Sequence, residues 1–403
     1  MTWCTALGAG CGTAPAVAAP QQAEVQPGLE VLLTDSLALV SGRRVGLVAN
    51  MASVDRQGVS AVDRFRTAGV NLTALFSPEH GFRGTAAPGE RVASTVDSAT
   101  GLPIYSLYGR TVAPTPEMLT GIDVLLVDLP DVGARYYTYI STTVEVMRAA
   151  GRAGIPVVVL DRPNPIGGRA QGNVLDSAFR SFVGMLSVPM RPGLTLAEQA
   201  LLARAELGID VDLRVVPAAH WTRTMALDDA GLPFLPPSPN LKDLESLFHY
   251  PGTCLFEGTS LSVGRGTSHP FHQVGAPWLD TTAVLALLRS EGLPGVRFVA
   301  DTFTPVTPGD QKHAGVRVNG IRLVMMDRLS YDPTVTAVAM LVAIQSVHPE
   351  QIGFVAAQFD RLAGGATLRE AIRSGQGHRE IVAEWVAPLA AFERRRAAVL
   401  LYP

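Results

Sequence analysis

Three ionisable side chains lie within five positions of the sequence, at Glu79, His80 and Arg83. They follow the mostly apolar run 72–76 and a Ser-Pro pair, with one glycine between His80 and Arg83 and another directly after Arg83. A turn that only connects two elements needs turn-forming residues but no cluster of charge, whereas functional groups tend to lie on loops held by a rigid scaffold. We therefore interpret residues 77–84 as an active-site loop. The alternative is a structural turn in which Arg83 pairs with Glu79.

Carboxylates offer the clearest chemistry in this sequence, at Glu79, Glu90 and Glu257. Hydrolysis of a glycosidic bond needs a proton donor for the leaving oxygen and a second group that attacks or stabilises the oxocarbenium-like centre. A glutamate partly enclosed by Phe76 and Phe82 is suited to carry that proton. Glu79 is therefore the candidate acid. The alternative for Glu90 and Glu257 is a surface or ion-paired role.

Length and composition limit the classes of protein. A chain of 403 residues is too long for one ordinary core, so two domains are expected. A hydrophobic fraction of 47% with 17% charged residues indicates a compact protein with a large interior. The net charge of -3 and the lack of a long basic run argue against a nucleic-acid partner. No apolar stretch is long enough to span a bilayer.

The first 28 residues differ in composition from the rest. Residues 3–20 are mostly small and apolar, and no lysine or arginine precedes Arg43. This segment resembles the end of an export signal, with a cleavage site at 16–18 and an imperfect lipobox-like sequence at 8–11. We predict an exported protein, periplasmic or extracellular, rather than a cytoplasmic one, and the lipobox-like sequence makes a lipoprotein the alternative form of export. A disordered leader is the alternative.

The residues that follow predict an alternation of strands and helices. Apolar runs predict strands at 44–49, 70–76, 123–129, 157–160 and 212–216, and helical spacing predicts helices at 60–68, 137–150 and 195–207. Continuous apolar strands separated by helices indicate a parallel sheet covered on both faces. We predict a doubly wound α/β domain over 29–235. The proline-rich stretch 232–239 marks the boundary, and 236–403 is predicted to form a smaller α+β domain.

Polar side chains follow four of the predicted parallel strands. These ends are Asn50, residues 77–80, residues 128–131 and residues 161–164. In open α/β sheets, ligands bind outside the carboxyl ends of the strands. The four ends together predict a site of carboxylates, amides and an imidazole. Each end alone is also explained by the preference of Asn and Asp for turns.

The nucleotide, hydrolase and metal motifs are missing from the sequence. No Gly-x-Gly-x-x-Gly follows the first strand, and neither a phosphate-binding P-loop nor a Gly-x-Ser-x-Gly motif occurs. No His-Glu-x-x-His is present, and the proline between His269 and His272 fits a loop better than a rigid pair of ligands. We therefore expect no cofactor and no metal. The missing phosphate-binding motifs also argue against a sugar-phosphate or nucleotide transferase.

Five blocks of the sequence resemble the DUF1343 family, which includes an exo-β-N-acetylmuramidase. They are 76–84 (Phe-Ser-Pro-Glu-His-Gly-Phe-Arg-Gly), 131–141 (Asp-Val-Gly-Ala-Arg-Tyr-Tyr-Thr-Tyr-Ile-Ser), 160–168 (Leu-Asp-Arg-Pro-Asn-Pro-Ile-Gly-Gly), 237–240 (Pro-Ser-Pro-Asn), and 250–259 (Tyr-Pro-Gly-Thr-Cys-Leu-Phe-Glu-Gly-Thr) with Gly-Arg-Gly at 264–266. The resemblance runs from about residue 29 to 403. It implies a Rossmann-like N-terminal domain, a smaller C-terminal domain and a site in the cleft between them.

The resemblance also implies an activity, the release of terminal β-linked N-acetylmuramic acid from the non-reducing end of peptidoglycan fragments. Glu79 matches the family's proposed catalytic residue, with His80 expected to tune it. The second catalytic group stays open between Glu90, Glu257, Asp131 and the substrate's own acetamide. A non-catalytic protein that binds muropeptides is the competing interpretation.

Substrate-binding roles follow from the chemistry of N-acetylmuramic acid. Its lactyl carboxylate suits a bidentate arginine, for which Arg135 and Arg265 are candidates. Amides would bind the acetamido or hydroxyl groups, and the aromatic cluster 136–139 would stack on the sugar or else belong to a helix core. The full set of expected substrate-binding residues is Asn50, Arg83, Asp131, Arg135, Tyr136, Asn164, Asn240, Glu257 and Arg265.

Overall fold

The structure is a computed structural model that describes residues 1–3, 24–87 and 89–403. The predicted cleavage site at 16–18 and the lipobox-like sequence at 8–11 lie outside the described residues. No helix within the described ranges has the length and apolarity needed to cross a membrane.

The described residues form twelve strands and eleven α-helices. The strands are β1 (Val45–Ala49), β2 (Leu72–Ser77), β3 (Thr95–Val96), β4 (Pro103–Ser106), β5 (Val124–Asp128), β6 (Val157–Leu160), β7 (Gln171–Val174), β8 (Pro189–Arg191), β9 (Leu213–Val216), β10 (Gln273–Ala276), β11 (Val296–Phe303) and β12 (Val318–Met325). The helices are α1 (Gly28–Asp35), α2 (Ala61–Thr67), α3 (Tyr139–Ala153), α4 (Leu196–Glu206), α5 (Leu244–Thr253), α6 (Thr281–Glu291), α7 (Pro333–Val347), α8 (Ala356–Ala363), α9 (Thr367–Arg373), α10 (His378–Ala383) and α11 (Val386–Arg396).

The main sheet has seven strands in the order β3-β4-β2-β1-β5-β6-β9. All neighbours pair in parallel except β3 and β4, which are antiparallel. The predicted doubly wound α/β architecture is confirmed. The sequence does not predict β3 and β4 at one side of the sheet, and the antiparallel edge strand β3 makes the sheet mixed. Because β2, β1, β5 and β6 are parallel neighbours, their carboxyl ends lie along one edge of the sheet.

Both faces of this sheet are buried, as the continuous apolar runs predict. Along β5, Val124 and Leu126 belong to the core on the side of α1 and α2, while Leu125 and Val127 belong to the core on the opposite side with α3. The alternation follows from the two-residue period of a strand. A charged residue within β5 would therefore be buried on either face.

The second part of the chain contains a smaller antiparallel sheet, with the order β10-β12-β11. Helices α5 and α6 pack against the apolar helix α7, and α6 also covers β11. The predicted α+β character of this part is confirmed. Its core is continuous with one face of the main sheet, since Val127, Phe256 and Ile344 belong to the same buried cluster.

The end of the chain returns to the main sheet. The Tyr402 hydroxyl donates to Oδ2 of Asp161 at 2.5 Å, and the Tyr402 ring packs edge-on against Trp221. Tyr402 also accepts a hydrogen bond from the backbone of Ala218 at 2.9 Å. Asp161, which directly follows β6, is therefore occupied by contacts within the fold.

Candidate active site

Glu79 lies just beyond the end of β2, where Pro78 leads the chain into a turn. Its side chain is largely buried. The backbone N–H of Gly89 donates to Oε1 at 2.8 Å, and the Thr138 hydroxyl donates to Oε2 at 2.7 Å. Because one donor holds each oxygen, the carboxyl group has a fixed orientation before any ligand binds.

His80 is held in a left-handed backbone conformation, with φ of 71°. Its Nδ1 lies 2.9 Å from the carbonyl oxygen of Ala86, which can only accept, so Nδ1 carries the proton. Burial lowers the pKa of His80, and this outweighs the opposing effects of the Ala86 hydrogen bond and the negative charge of Glu79. The imidazole is therefore neutral near pH 7, with a lone pair on Nε2. A strained backbone that fixes an imidazole is typical of functional sites.

Glu79 and His80 line a pocket of about 580 Å³ whose walls come from both parts of the chain. The first part of the chain supplies residues from the β2 loop and from the segment before α3. The second part supplies α5, the 3₁₀ helix Cys254–Gly258 and the loop before β10. The remaining lining side chains are Tyr136, Tyr137, Thr138, Val183, Ser238, Asn240, Leu241, Tyr250, Cys254, Glu257, Arg265, Phe271 and Leu362.

An ion pair lies in the wall formed by the second part of the chain. Nε of Arg265 donates to Oε1 of Glu257 at 2.5 Å, and the guanidinium lies 5.1 Å from the centre of the Phe271 ring. Burial lowers the pKa of Arg265, but the charge and hydrogen bond of Glu257 outweigh it and raise the pKa above its ordinary value. Nη1 of Arg265 is buried and has no hydrogen-bond partner among the described residues. The pocket therefore contains a permanent cation with an unused N–H donor.

Aromatic rings form much of the remaining wall. Tyr136 and Tyr250 pack edge to face at 6.1 Å, and Tyr250 packs on Phe271 at 4.9 Å. The Tyr136 hydroxyl donates to the carbonyl of Pro251. The Tyr137 hydroxyl is buried without a partner in the described structure, and burial raises its pKa well above the ordinary value. Aromatic faces with polar edges suit the apolar face and hydroxyls of a sugar.

Six of the residues selected from the sequence meet at this pocket: Glu79, His80, Tyr136, Asn240, Glu257 and Arg265. Sequence reasoning missed Thr138, Ser238 and Tyr250. Each lies within one of the family-like blocks, so inspecting complete blocks would have found them.

Arg135 does not line the pocket. Its guanidinium is buried and donates to the carbonyls of Asn173, Val188 and Leu362 at 2.8, 2.9 and 2.8 Å. Binding a substrate carboxylate would require breaking these bonds in a buried environment. The geometry therefore supports a structural role for Arg135 instead of the expected binding of a carboxylate, because the N–H donors of both Nη atoms are already used within the fold.

Asn50 and Asn164 also serve the fold. Asn50 donates to the Tyr139 hydroxyl at 2.6 Å and accepts from the backbone of Ala52. Asn164 donates to the carbonyl of Leu194 at 2.9 Å and accepts from the backbone of Ile166. Both amides are buried and outside the pocket, so the geometry does not support sugar binding by either residue.

Three other expected residues lie elsewhere. Glu90 is exposed and accepts from the backbone of Ala87 at 2.8 Å, and Arg83 is exposed beside the same loop. Asp131 lines a separate, proline-rich pocket of about 540 Å³. Of the three carboxylates considered as the partner of Glu79, the pocket contains only Glu257.

Asp131 has a perturbed carboxyl group. The residue is partly exposed, but Oδ1 is buried without a partner among the described residues, and Gln199 donates to Oδ2 at 2.8 Å. The pKa of a carboxyl group depends on the burial of its oxygens more than on the exposure of the whole residue, and here burial dominates. It raises the pKa of Asp131 to about 6.

Comparison with known proteins identifies relatives over nearly the whole chain. Residues 45–245 match the family model described as exo-beta-N-acetylmuramidase NamZ, N-terminal, and residues 248–402 match the corresponding C-terminal model. The chain is 43% identical over 382 residues to the peptidoglycan beta-N-acetylmuramidase NamZ of Bacillus subtilis (strain 168). This alignment covers 94% of the chain and 92% of that relative.

Two crystal structures from Bacteroides fragilis NCTC 9343 have the same fold, and both are of DUF1343 family proteins. One is 32% identical with a TM-score of 0.87 and covers 95% of this chain and 100% of its own. The other is 30% identical with a TM-score of 0.75 and covers 94% and 99%. The predicted resemblance is confirmed, and the chain belongs to the NamZ (DUF1343) family of glycosidases.

Proposed function

We propose that this protein is an exo-acting glycoside hydrolase that releases terminal β-linked N-acetylmuramic acid from the non-reducing end of peptidoglycan fragments. One observation carries the proposal. The fixed carboxyl group of Glu79 faces a pocket that also contains a second carboxylate and an arginine with an unused donor. The B. subtilis relative is named for β-N-acetylmuramidase activity on peptidoglycan, which supports the same substrate class for this chain.

Glu79 acts in this proposal as the general acid. Gly89 N–H holds Oε1, so the proton belongs on Oε2, which accepts from the Thr138 hydroxyl while its own proton points into the pocket. Transfer of that proton to the glycosidic oxygen allows the bond to the anomeric carbon to break. Water then adds to that carbon and loses a proton.

Glu257 is the second carboxylate of the mechanism. Nε of Arg265 donates to its Oε1 and fixes that oxygen, and Oε2 faces the Cys254 thiol at 3.7 Å. A fixed negative charge stabilises the positive charge that develops at the anomeric centre. The neutral His80, beside Glu79, is suited to accept the proton that water loses.

Arg265 provides a reason for specificity toward N-acetylmuramic acid. This sugar differs from N-acetylglucosamine by a lactyl ether that ends in a carboxylate. The Arg265 Nη1 has no partner in the described structure, and a buried donor of this kind favours a ligand that completes it. The lactyl carboxylate is such a ligand.

Replacement of Glu79 tests the reaction. Glu79→Gln keeps the size of the side chain but removes its transferable proton, so we expect kcat on a chromogenic N-acetylmuramide to fall by roughly 10²–10⁴-fold. The measurement is release of the chromophore and of free N-acetylmuramic acid, with circular dichroism as the check on folding.

Binding of the disaccharide by Glu79→Gln separates the two interpretations. A hydrolase loses turnover but keeps affinity for a disaccharide that carries N-acetylmuramic acid at its non-reducing end. Retained turnover would contradict the role of Glu79. A wild-type protein that binds this disaccharide without cleaving it would establish the muropeptide-binding alternative.

Replacement of Arg265 tests specificity. Arg265→Lys keeps the charge but loses the planar pair of donors. We expect the ratio of kcat/KM for N-acetylmuramides over N-acetylglucosaminides to fall at least about tenfold, since a charged hydrogen bond is worth about 1.5–3 kcal/mol. Arg148→Lys, at a surface pair with Glu145, is the control and should leave the ratio unchanged. An unchanged ratio in Arg265→Lys would assign carboxylate recognition to another group.

A further inference from the structure

A cluster of potential metal ligands lies outside the active-site pocket, where α5 begins. The ligand atoms of Glu245, His249 and His272 all lie within 4.8 Å of one another. Glu245 and His249 are four positions apart on α5, and His272 directly precedes β10. The sequence does not reveal this grouping, because its third member comes from a separate part of the chain.

His249 has an unused ring nitrogen that points into the cluster. The residue is fully buried, and its Nδ1 lies 2.8 Å from the Tyr331 hydroxyl. Nε2 lies 3.4 Å from Oε1 of Glu245, yet it makes no hydrogen bond to any described residue. A neutral imidazole held at one nitrogen presents the other as a metal ligand.

His272 is oriented in a similar way. Its Nε2 lies 2.9 Å from Oδ1 of Asp243, and its ring centre lies 5.2 Å from that of His249. Asp243 is itself fixed, because it accepts a hydrogen bond from the backbone of Ser246 at 2.7 Å at the start of α5. A carboxylate that holds a ligating histidine is a frequent outer partner in metal sites.

We propose that Glu245, His249 and His272 form a binding site for a divalent transition-metal ion, with Zn²⁺ as the best match. Two imidazoles and a carboxylate suit Zn²⁺, whereas Mg²⁺ and Ca²⁺ prefer oxygen ligands only. Ligands about 2.1 Å from one ion lie at most about 4.2 Å apart. The 3.4 Å separation of His249 and Glu245 meets this limit. The wider separations, up to 4.8 Å, need only small rotations of side chains.

The site has a route for the ion and room for further ligands. The side chains of Glu245 and Asp243 are 40% and 47% exposed, whereas the two imidazoles are buried beneath them. An ion can therefore approach from solvent through the carboxylates. Water can complete the coordination.

The position of the site indicates a structural effect. Glu245 also accepts a hydrogen bond from the backbone of Met325 at the end of β12. A bound ion would therefore connect the start of α5 to β10 and β12. Because α5 carries Tyr250 into the pocket, the ion would stiffen one pocket wall without touching the substrate. This inference goes beyond the proposed hydrolysis and does not depend on it.

Calorimetric titration of the chelator-treated full chain with Zn²⁺ tests the proposal. We expect saturation at one ion for this site, and at least tenfold weaker binding in His249→Gln and in Glu245→Gln. Glu245→Gln provides the test if His249→Gln does not fold, since Glu245 is partly exposed. Titration with Co²⁺ should give a spectrum without a thiolate charge-transfer band, which separates this site from ligation by Cys4 or Cys11.

His378→Gln is the matched control. His378 Nε2 lies 3.7 Å from Glu291, so the variant also breaks a His–Glu pair, but no third ligand joins this pair within the described chain. Zn²⁺ affinity should be unchanged in this variant. Absence of saturable Zn²⁺ binding would overturn the proposal. Equal affinity in wild type, His249→Gln and Glu245→Gln would overturn it as well, because the ion would then be bound elsewhere.

Discussion

The end of β2 differs from the ends of its neighbours β1, β5 and β6, although all four carry polar groups on the same edge of the sheet. Asn50 after β1, Asp128 in β5 and Asp161 after β6 form hydrogen bonds or ion pairs inside the fold. Only Glu79 after β2 combines fixed orientation with a face open to the active-site pocket. Polar strand ends thus divide into those whose polar groups are bonded within the fold and one that faces the pocket.

The difference depends on where hydrogen-bond partners come from. The partners of Asp161 include Tyr402 and the backbone of Ala197, which close over the end of β6. The partners of Glu79 are the backbone N–H of Gly89 and the hydroxyl of Thr138, and Thr138 lines the pocket. We therefore expect replacements of Asn50, Asp128 or Asp161 to change the stability of the fold, and replacements around Glu79 to change turnover.

The largest expected effect is on stability, at the end of β5. Arg162 pairs with both oxygens of the fully buried Asp128, at 2.6 and 2.9 Å. Asp128→Ala leaves a largely buried guanidinium unpaired, so we expect the free energy of unfolding to fall by about 3–5 kcal/mol. Urea denaturation measures this loss, and kcat/KM per folded molecule should change little.

Asp123→Ala is the control for Asp128→Ala. Asp123 also binds an arginine through both oxygens, at 2.7 and 3.1 Å from Arg44, but this pair is exposed. The free energy of unfolding should fall much less in Asp123→Ala than in Asp128→Ala, because solvent screens the exposed charges. Equal losses in the two variants, or a selective loss of turnover in Asp128→Ala, would break the division between strand ends.

The next effect is a pH dependence at Asp131, which follows β5. Burial raises its folded pKa from 3.8 to about 6, so the folded state binds the proton more tightly than the unfolded state. The stability from this group is therefore fully present below pH 3.8 and is lost as the pH rises through about 6. The loss amounts to about 2–3 kcal/mol at 1.36 kcal/mol per pKa unit.

Asp131→Asn removes this ionisation. Between pH 4 and pH 7, the free energy of unfolding should fall less in the variant than in wild type, as measured by urea denaturation across the range. Other groups titrate in the same window, so the difference between the two proteins is the relevant quantity. Parallel curves would show that Asp131 titrates alike in the folded and unfolded states.

The smallest effect is on turnover and tests the β2 end. Thr138→Val removes the hydroxyl that holds Oε2 of Glu79, and we expect kcat to fall about tenfold, equivalent to about 1.4 kcal/mol. Thr143→Val is the control, because this hydroxyl donates to the carbonyl of Tyr139 on α3 at 2.8 Å. The control should keep wild-type turnover. A loss of stability without loss of turnover in Thr138→Val would place Glu79 among the structural strand ends.

The central strands were predictable from sequence because their signal is local. The runs at 44–49, 123–129 and 157–160 contain β1, β5 and β6 with at most one extra residue at either end. Helix α5 was not predicted, since Pro251 and Gly252 near its end are poor helix formers. The four helices after α7 were also not predicted, and three of them have eight residues or fewer.

Site residues were predictable from sequence where the chemical groups lie close together along the chain. They were not predictable where the role of a residue depends on whether the fold buries it. Glu79 and His80 stand out from their own loop. By contrast, Arg135 and Arg265 are equal candidates in the sequence. What separates them is the carbonyl of Leu362, which lies 227 positions from Arg135 and occupies its donor. A contact of this kind leaves no pattern near the residue whose role it decides.

The return of Tyr402 to Asp161 has a consequence for the order of folding. This hydrogen bond joins residues 241 positions apart, and the one from Arg135 to Leu362 joins residues 227 apart. Contacts so distant along the chain close large loops and slow folding. During synthesis, the end of β6 is not covered until Tyr402 has been made. Until then its buried carboxylate lacks the Tyr402 hydroxyl, so the nascent chain depends on residues made much later to complete a core made early.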